Sequence, residues 1–242
     1  MWRKTVPVGL ILLSLSSAAY SLDPVGPPQA LLGQGHWSLG VEYAYSETAF
    51  DLMRVATAMS FATSSVDLKA NRAYANLRYG LWKNVDVFAR LGAGTFEVPD
   101  VAEGEPGFAW GLGAAATVYD TDKFDWGLLV QFSNGRFDPS DTAPAMFGPS
   151  ATELWSLQVV TGPTYHIRDN LAVYGGVFYH LLLGEYELSG PVRRQEDIKE
   201  NNPVGGLLGL DWALKENVHW TAEFQYAGPT FAVATGLRWV LN

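Results

Sequence analysis

The sequence predicts an all-β protein, a closed antiparallel up-and-down transmembrane β-barrel of about ten strands, with about eight strands as the alternative. Two observations support this prediction. Bulky apolar residues alternate with small or polar ones through most of the chain after residue 36, the pattern of strands with two unlike faces. Short polar turns also alternate with long connections, as they do in barrels that cross a membrane.

The beginning of the chain has the parts of a secretory signal peptide. Arg3 and Lys4 precede an apolar run and then the small-x-small sequence AYS. We therefore expect residues 1–21 to be removed after export. Residues 22–35 are expected to form a periplasmic N-terminal segment, and residues 36–242 an outer-membrane barrel.

Composition narrows the classes of function. Removing residues 1–21 lowers Lys plus Arg from 16 to 14 against 25 Asp plus Glu, so the formal charge becomes −11. An acidic exported protein is a poor partner for nucleic acid. The absence of Cys excludes disulfides and thiolate metal sites. We expect one domain, no cofactor and no metal.

The alternating segments give the order of strands and connections. Each segment is long enough for the 9 to 11 residues with which a tilted strand crosses a bilayer. The predicted strands are residues 36–46, 71–81, 85–97, 108–120, 124–135, 154–167, 171–186, 204–214, 218–226 and 231–241. Short turns are expected at 83–84, 120–123, 168–170 and 215–217, longer segments at 47–66, 98–106, 136–151 and 188–203, and a Gly-Pro connection at 228–229. This asymmetry places both termini in the periplasm.

The two faces of the predicted strands indicate which side meets lipid. A soluble sandwich or lipocalin-like barrel turns its apolar face inward. Here the other face is rich in glycine and carries balanced charges, which suits the cramped interior of a small barrel. We expect a charge network in the lumen made of Glu42, Arg72, Arg78, Asp86, Arg90, Asp125, Asp211, Glu223 and Arg238. Further polar lumen residues are Gln131, Ser133 and His180.

Tryptophans provide an independent indication of a membrane. An indole is favoured where its ring is in an apolar environment and its N–H stays wet, which describes a membrane interface. On the predicted topology the tryptophans form two belts, a heavier one near the short turns and a lighter one at the opposite rim. The interface residues are Trp37, Trp82, Trp126, Trp212, Trp220 and Trp239 in the first belt and Trp110 and Trp155 in the second.

The pattern of residues 36–242 resembles the small bacterial outer-membrane β-barrels, the class that includes the OmpA transmembrane domain, OmpW-like and opacity-type proteins. The phrases YGLWKNVDVFARLG and ATGLRWVLN carry the resemblance. Val233, Thr235, Leu237 and Trp239 alternate in the last strand like the assembly signal of such barrels, although the chain ends in Asn242 rather than an aromatic residue. The resemblance implies outer-membrane lipid, lipopolysaccharide and the barrel-assembly machinery as partners, and we expect a monomer.

The predicted lumen is too narrow for a general porin. About eight strands already leave an interior that side chains fill, whereas open porins have about 16 to 18. We therefore expect an occluded, charge-lined lumen. Two non-enzymatic roles remain open: a structural or surface-contact role, and restricted passage of small solutes.

Two enzyme-like readings are the alternatives to a non-enzymatic protein. The phrase VQFSNGRFD resembles the His-x-Ser-Asn motif of outer-membrane lipid A deacylases, but Gln131 stands where the base would be and Ser133 is predicted to face inward. An omptin-like protease would need acids and a histidine at the outer rim, and the candidates are His180, Asp138, Asp141 and Glu185. A further hypothesis is a metal site near the short turns, formed by His36, His166 and His219.

The long connections hold the remaining signals. Residues 47–66 are apolar for a surface loop, which predicts a strand extension, a plug in the barrel mouth or a grip on a hydrophobic ligand. Residues 98–106 and 188–203 are rich in acids, which is typical of a solvated face and also suits divalent cations or lipopolysaccharide.

Overall fold

The computed structural model describes residues 13–14, 22–56, 60–98, 102–103, 106–137, 152–188, 194–198 and 203–241. Most of the predicted signal peptide lies outside these residues. In the part of the chain that is described, no helix is long and apolar enough to cross a membrane.

Ten long strands form a closed antiparallel barrel, which confirms ten strands over eight. In chain order they are β1 (Trp37–Ala56), β2 (Ser60–Trp82), β3 (Val85–Val98), β4 (Gly107–Asp120), β5 (Phe124–Phe137), β6 (Thr152–Arg168), β7 (Leu171–Leu188), β8 (Val204–Lys215), β9 (Val218–Ala227) and β10 (Thr230–Leu241). Each strand pairs with the next one along the chain, and β10 pairs with β1 from Thr230↔Thr48 to Leu241↔Trp37. Closure leaves neither β1 nor β10 with an unpaired edge, which a bilayer requires.

The connections follow the predicted asymmetry. The tight turns at residues 83–84, 121–123, 169–170 and 216–217 all lie at one end of the barrel, named here the short-turn end. At the opposite end Ala102–Glu103 pairs with β3, and Arg194–Ile198 pairs with β7. Leu13–Ser14 pairs with Met53 and Arg54 of β1.

The apolar connection at residues 47–66 continues β1 and β2 beyond the barrel body. The two strands stay in register from Trp37↔Tyr79 up to Ala56↔Ser60. Of the three readings of this segment, strand extension is the one that the described backbone adopts.

The two faces of the wall have opposite polarity. Arg72, Tyr74 and Arg78 of β2 are buried, whereas Leu77 on the same strand is exposed. On β3, Leu91 is 59% exposed while the neighbouring Arg90 is 1% exposed. A soluble barrel has the reverse arrangement, so the apolar outer face requires lipid around it. This face includes Leu39, Val41, Phe108, Leu112, Leu128, Val130, Val177, Leu208, Phe224 and Val233.

The lumen is packed rather than open. Phe88, Leu129, Val160, Tyr174 and Phe178 lie in one buried cluster inside the wall. Leu129 and Val160 are fully buried, and the sequence analysis did not single out these apolar residues as lumen residues. Wall side chains therefore fill part of the interior, as the small number of strands requires.

Residues 22–35 lie in a different place from the one expected. The sequence predicts a periplasmic N-terminal segment here, but Leu22, Asp23, Val25 and Leu32 are buried inside the barrel. The segment forms no strand or helix. Its sequence LDPVGPPQALLGQG holds three prolines, which lack the N–H that a strand needs to pair with the wall. The segment therefore enters the lumen instead of joining the sheet.

We predict that Val130→Arg destabilises the barrel by about 2–4 kcal/mol, because a charge would face hydrocarbon near the bilayer midplane. Val130 lies midway along β5 and is 38% exposed. The measurement is denaturant unfolding in phospholipid vesicles. Glu216→Arg, in an exposed turn, is the control and should change stability by about 0.5 kcal/mol or less. Equal effects of the two substitutions would contradict a lipid-facing outer wall.

Candidate functional site: the filled lumen

Residues 22–32 fill the lumen and are called the plug below. The plug enters at the short-turn end, where Leu31 meets Asp86 close to the turn at residues 83–84. It continues past Thr164, whose hydroxyl donates to Gln29 Oε1 at 2.5 Å. Its innermost described part is at Asp23, which is 2% exposed. The plug thus reaches from one mouth into the middle of the barrel.

Carboxylates of the wall hold the plug through its backbone. Leu31 and Leu32 donate their N–H groups to Asp86 Oδ2 at 2.6 and 3.2 Å. Higher in the lumen, Val25 and Gly26 donate to the two oxygens of Glu223 at 3.0 and 2.8 Å. A segment outside the sheet must satisfy its buried N–H groups in some other way, and charged acceptors do so strongly.

Two arginines of the wall hold Asp23, the only acidic residue of the plug. Arg72 donates to Oδ1 of Asp23, and Arg90 Nη2 lies 3.9 Å from Oδ2. The Ser133 hydroxyl also donates to Oδ2, and the Tyr74 hydroxyl donates to Oδ1 at 3.1 Å. One short carboxylate therefore stands among four donors from three strands, β2, β3 and β5.

The surroundings of Asp23 keep it ionised. Burial alone would raise the pKa of its carboxyl group. The positive charges of Arg72 and Arg90, with the hydrogen bonds from Ser133 and Tyr74, outweigh that effect and hold the pKa below its ordinary value of 3.8. The ionic contacts of Asp23 are consequently intact at neutral pH and weaken only in strong acid.

Aromatic rings position Arg90 between the wall and the plug. Its guanidinium lies 5.0 Å from the ring centre of Tyr74 and 5.8 Å from that of Phe88. Nη1 donates to the Pro24 carbonyl at 2.6 Å. Nε and Nη2 are buried and have no hydrogen-bond acceptor among the described residues. Arg90 thus has donor capacity that the plug leaves unused.

A ladder of amide side chains crosses the lumen beside this cluster. Gln131 donates to Gln158 at 2.7 Å, and Gln158 donates to Gln225 at 3.2 Å. Gln225 in turn donates to the Asp23 carbonyl at 2.7 Å and to Glu223 at 2.6 Å. The ladder connects the wall on both sides of the plug and gives the middle of the lumen a polar lining.

A second group of charges lies toward the short-turn end. Arg238 bonds Asp211 at 3.0 Å, and His219 contacts the same carboxylate at 2.8 Å. His166 contacts Asp125 at 2.7 Å, beside a cavity of about 940 Å³ that Ala30 of the plug also lines. This cavity is the vestibule in front of the plug.

Two wall glycines leave room for the plug. A Cβ at Gly127 would lie 2.4 Å from the backbone nitrogen of Gln29 and from the carbonyl carbon of Pro28. A Cβ at Gly80 would lie 3.3 Å from the Cβ of Leu32 and 2.1 Å from the carbonyl oxygen of Gly33, the residue that follows the plug. Real Cβ atoms do not approach backbone so closely, so these two positions require glycine as long as the plug is in place.

Most of the sequence-predicted lumen residues lie in the interior. Arg72, Arg78, Asp86, Arg90, Asp211, Glu223, Gln131, Ser133 and His180 are buried. Three others are only partly covered: Glu42, Asp125 and Arg238 have side chains 25%, 16% and 14% exposed. The plug and Asp23 could not be recognised in the sequence, because a short Pro-rich segment has no alternation that would assign it to the lumen.

The tryptophans lie on the outer wall near the two ends of the strands. Trp37, Trp82, Trp126, Trp212 and Trp239 are exposed, and Trp110, Trp155 and Trp220 are partly exposed. Trp110 and Trp155 contact each other with ring centres 5.9 Å apart, and Trp212 and Trp220 lie 6.5 Å apart. The first pair lies away from the short-turn end and the second pair beside it.

The residues of the two enzyme hypotheses lie either in the lumen or outside the described part of the chain. The Ser133 hydroxyl contacts Asp23 and Ser156, and Gln131 belongs to the amide ladder. His180 is buried in the lumen. Asp138 and Asp141 lie outside the described residues, as does the side chain of Glu185.

The three histidines do not come together in the structure. Within the described residues, no group of three or more His, Cys, Asp or Glu side chains is placed to hold a metal ion. His166 and His219 pair with different acids, and His36 contacts the Gly33 carbonyl at 3.3 Å.

An apolar outer wall, tryptophans toward both ends and a polar lumen define a transmembrane β-barrel. The chain is a small outer-membrane β-barrel protein of the Gram-negative class, and its location is the outer membrane.

Solved structures with this architecture are outer-membrane proteins. The translocator domain of the autotransporter NalP from Neisseria meningitidis has a TM-score of 0.55 at 14% identity, covering 86% of this chain and 89% of that chain. The outer membrane protease OmpT from Escherichia coli has a TM-score of 0.51 at 10% identity, covering 85% and 97%. The COG4313 outer membrane channel from Pseudomonas putida F1 has a TM-score of 0.50 at 12% identity, covering 91% and 100%.

These likenesses concern the fold alone, because the sequence identities are low. No protein-family model matches the sequence, and no curated protein matches it. The contents of the lumen are therefore the main guide to the role of the barrel.

We predict that Gly127→Ala loosens the plug, because the added methyl group would overlap the backbone of Pro28 and Gln29. A thiol introduced by Val25→Cys reports the position of the plug, since the native chain has no cysteine and Val25 is buried. Overpacking of about 1–3 kcal/mol predicts roughly a tenfold faster reaction of this thiol with a water-soluble maleimide.

The matched control for this prediction is Gly206→Ala, whose Cβ would have its nearest neighbour at 3.6 Å. Its labelling rate should equal that of the single Val25→Cys variant. A Gly127→Ala barrel that labels no faster than the control would contradict the packing of the plug against β5.

Proposed function

We propose that this protein is an outer-membrane channel for small solutes that its own plug closes. One observation supports this proposal: the lumen is filled by a chain segment that belongs to no strand and is held mainly by side chains of the wall. Removing such a segment breaks no pairing between strands. Closure and opening can therefore be separate from the folding of the barrel.

The contacts of the plug support a removable stopper. Among the described residues, its hydrogen bonds to the wall use the carboxylates of Asp86 and Glu223, the guanidinium groups of Arg72 and Arg90, and a few hydroxyl and amide groups. All of these groups are hydrophilic and would line an aqueous path after the plug leaves. A barrel with a purely structural role has no need of a polar wall behind a separate filling.

The vestibule supplies the approach on one side. It opens at the short-turn end, is lined by residues of three turns and ends at Ala30 of the plug. A solute that enters there reaches the plug at Ala30. The proposed path continues through the space that residues 22–32 occupy.

We predict that deletion of residues 22–32 raises the conductance of the barrel. The chain beginning at residue 22 should be closed for most of the time in a planar bilayer, and the shortened chain should conduct steadily, because the space of the plug fills with water. Folding of both chains is checked by circular dichroism and by heat-dependent mobility in detergent gels.

The result against a channel would be a shortened chain that is folded and silent. In that case the wall side chains close the lumen by themselves, and the function would lie in surface contact or envelope structure. Conductance that is already high in the chain with its plug would contradict closure by the plug.

The ion selectivity of the shortened chain gives a second prediction. With Asp23 gone, Arg72 and Arg90 face the path at mid-lumen, so Arg90→Gln should shift the reversal potential in a salt gradient toward cations. Lys83→Gln removes the same charge from an exposed turn at the mouth of the vestibule, far from mid-lumen, and should have a smaller effect. An equal shift in both variants would contradict a path past Arg90.

A further inference from the structure

We propose that the pocket around Asp23, formed by Arg72, Arg90, Tyr74 and Ser133, is a binding site for the carboxylate group of a small solute, and that Asp23 occupies this site while the plug is in place. The inference rests on the proposed function and deepens it by naming the chemical class of the ligand. Its four wall residues come from β2, β3 and β5, so the pocket belongs to the barrel and remains when the plug leaves.

The donors of the pocket fit a carboxylate. Two guanidinium groups, a serine hydroxyl and a phenol hydroxyl point at the two oxygens of one carboxyl group. Arginine favours planar carboxylates because its N–H groups form a fork that matches their geometry. The same donors would serve the carboxylate of any solute small enough to reach the middle of the lumen.

Asp23 leaves part of this pocket unused. Arg90 is 1% exposed, and its Nε and Nη2 have no acceptor within hydrogen-bond distance in the described part of the chain. The separation between Nη2 and the nearest oxygen of Asp23 is 3.9 Å, which is too long for a hydrogen bond. A buried guanidinium with two idle donors is costly. A free carboxylate, not tied to a backbone, can approach Arg90 more closely than Asp23 does.

The balance of charge also favours an anion. With the plug in place, Arg90 lies near two carboxylates, that of Asp23 and that of Glu42, whose Oε2 lies 3.7 Å from Arg90 Nη1. When Asp23 leaves, both Arg72 and Arg90 lose its negative charge. Removing one partner of a buried ion pair is strongly unfavourable, so the open lumen would attract an anion to this level.

Replacement of the missing side chain by a free acid tests this pocket. Asp23→Gly removes the atoms that acetate contains, so acetate can take the place of the side chain. The midpoint of thermal unfolding, Tm, should fall in Asp23→Gly and recover by about 2–4 °C with saturating acetate, a shift of the size expected for a chain of this length. Chloride at equal ionic strength and acetamide, the neutral analogue, should not restore Tm.

The matched control is Gln29→Gly, which places the same flexible residue in the plug and removes a contact to Thr164 without vacating an anion site. Acetate should leave its Tm unchanged. Formate with Asp23→Ala is a second pair of the same design, since alanine keeps the Cβ. Recovery no larger with acetate or formate than with chloride, or equal recovery in Gln29→Gly, would overturn the carboxylate site.

This test separates the site from the channel because Tm does not depend on conductance. Recovery by acetate in a protein whose shortened form stays silent would support the site and refute the channel. Steady conductance of the shortened form without recovery by acetate would refute the site and support the channel.

Discussion

The closed lumen depends on the contact between Asp23 and the two arginines of the wall. Arg72 and Arg90 are buried in a lumen that the plug and packed wall side chains fill. Asp23 supplies a negative charge to both guanidinium groups. Glu42 of the wall, whose Oε2 lies 3.7 Å from Arg90 Nη1, also accepts a hydrogen bond from Asn76 at 2.9 Å. Removing one partner from a buried ion pair costs about 3–5 kcal/mol. The plug is therefore held in place because the buried arginines of the wall need the negative charge of Asp23.

The wall holds the plug with groups of both charges. Wall carboxylates take the N–H groups of its backbone, and wall arginines take its one acidic side chain. The plug has no basic residue, so Asp86 and Glu223 can bind it only through the backbone. Its prolines keep it from pairing as a strand, which leaves the remaining N–H groups free for these carboxylates. A short sequence whose only charged residue is one acid is therefore sufficient to fill a lumen rich in charge.

The fold could be predicted from the sequence because a transmembrane strand has to satisfy two environments at once. The period-two alternation of β3, from Val85 to Leu91, is strict because lipid lies on one side and the lumen on the other. The same rule assigned Arg72, Arg78 and Arg90 to the interior and the tryptophans to the outer wall. The turns at 83–84 and 169–170 were recognisable from their polar residues.

The content of the lumen could not be predicted by that rule. Alternation shows that a residue faces inward, but not what it meets there. The partner of Arg72 and Arg90 lies in a segment without periodicity, far away in sequence, with |i−j| of 49 for Arg72 and Asp23. The glycines at 80 and 127 gave a signal of close approach, yet that signal does not distinguish a neighbouring side chain from a separate chain segment.

The strength of the wall and that of the plug come from different interactions, and this difference is what makes a gate physically reasonable. The wall is closed by ten antiparallel ladders, none of which includes residues 22–32. The plug is held by a small number of polar contacts that water or a solute can replace, and by the packing of Leu22 and Val25 in the buried apolar cluster. Because no strand pairing is lost when the plug leaves, the free energy of opening is set by these polar contacts and this apolar packing. An anion that satisfies Arg72 and Arg90 lowers that free energy at the step where the vacated arginines would otherwise oppose it most.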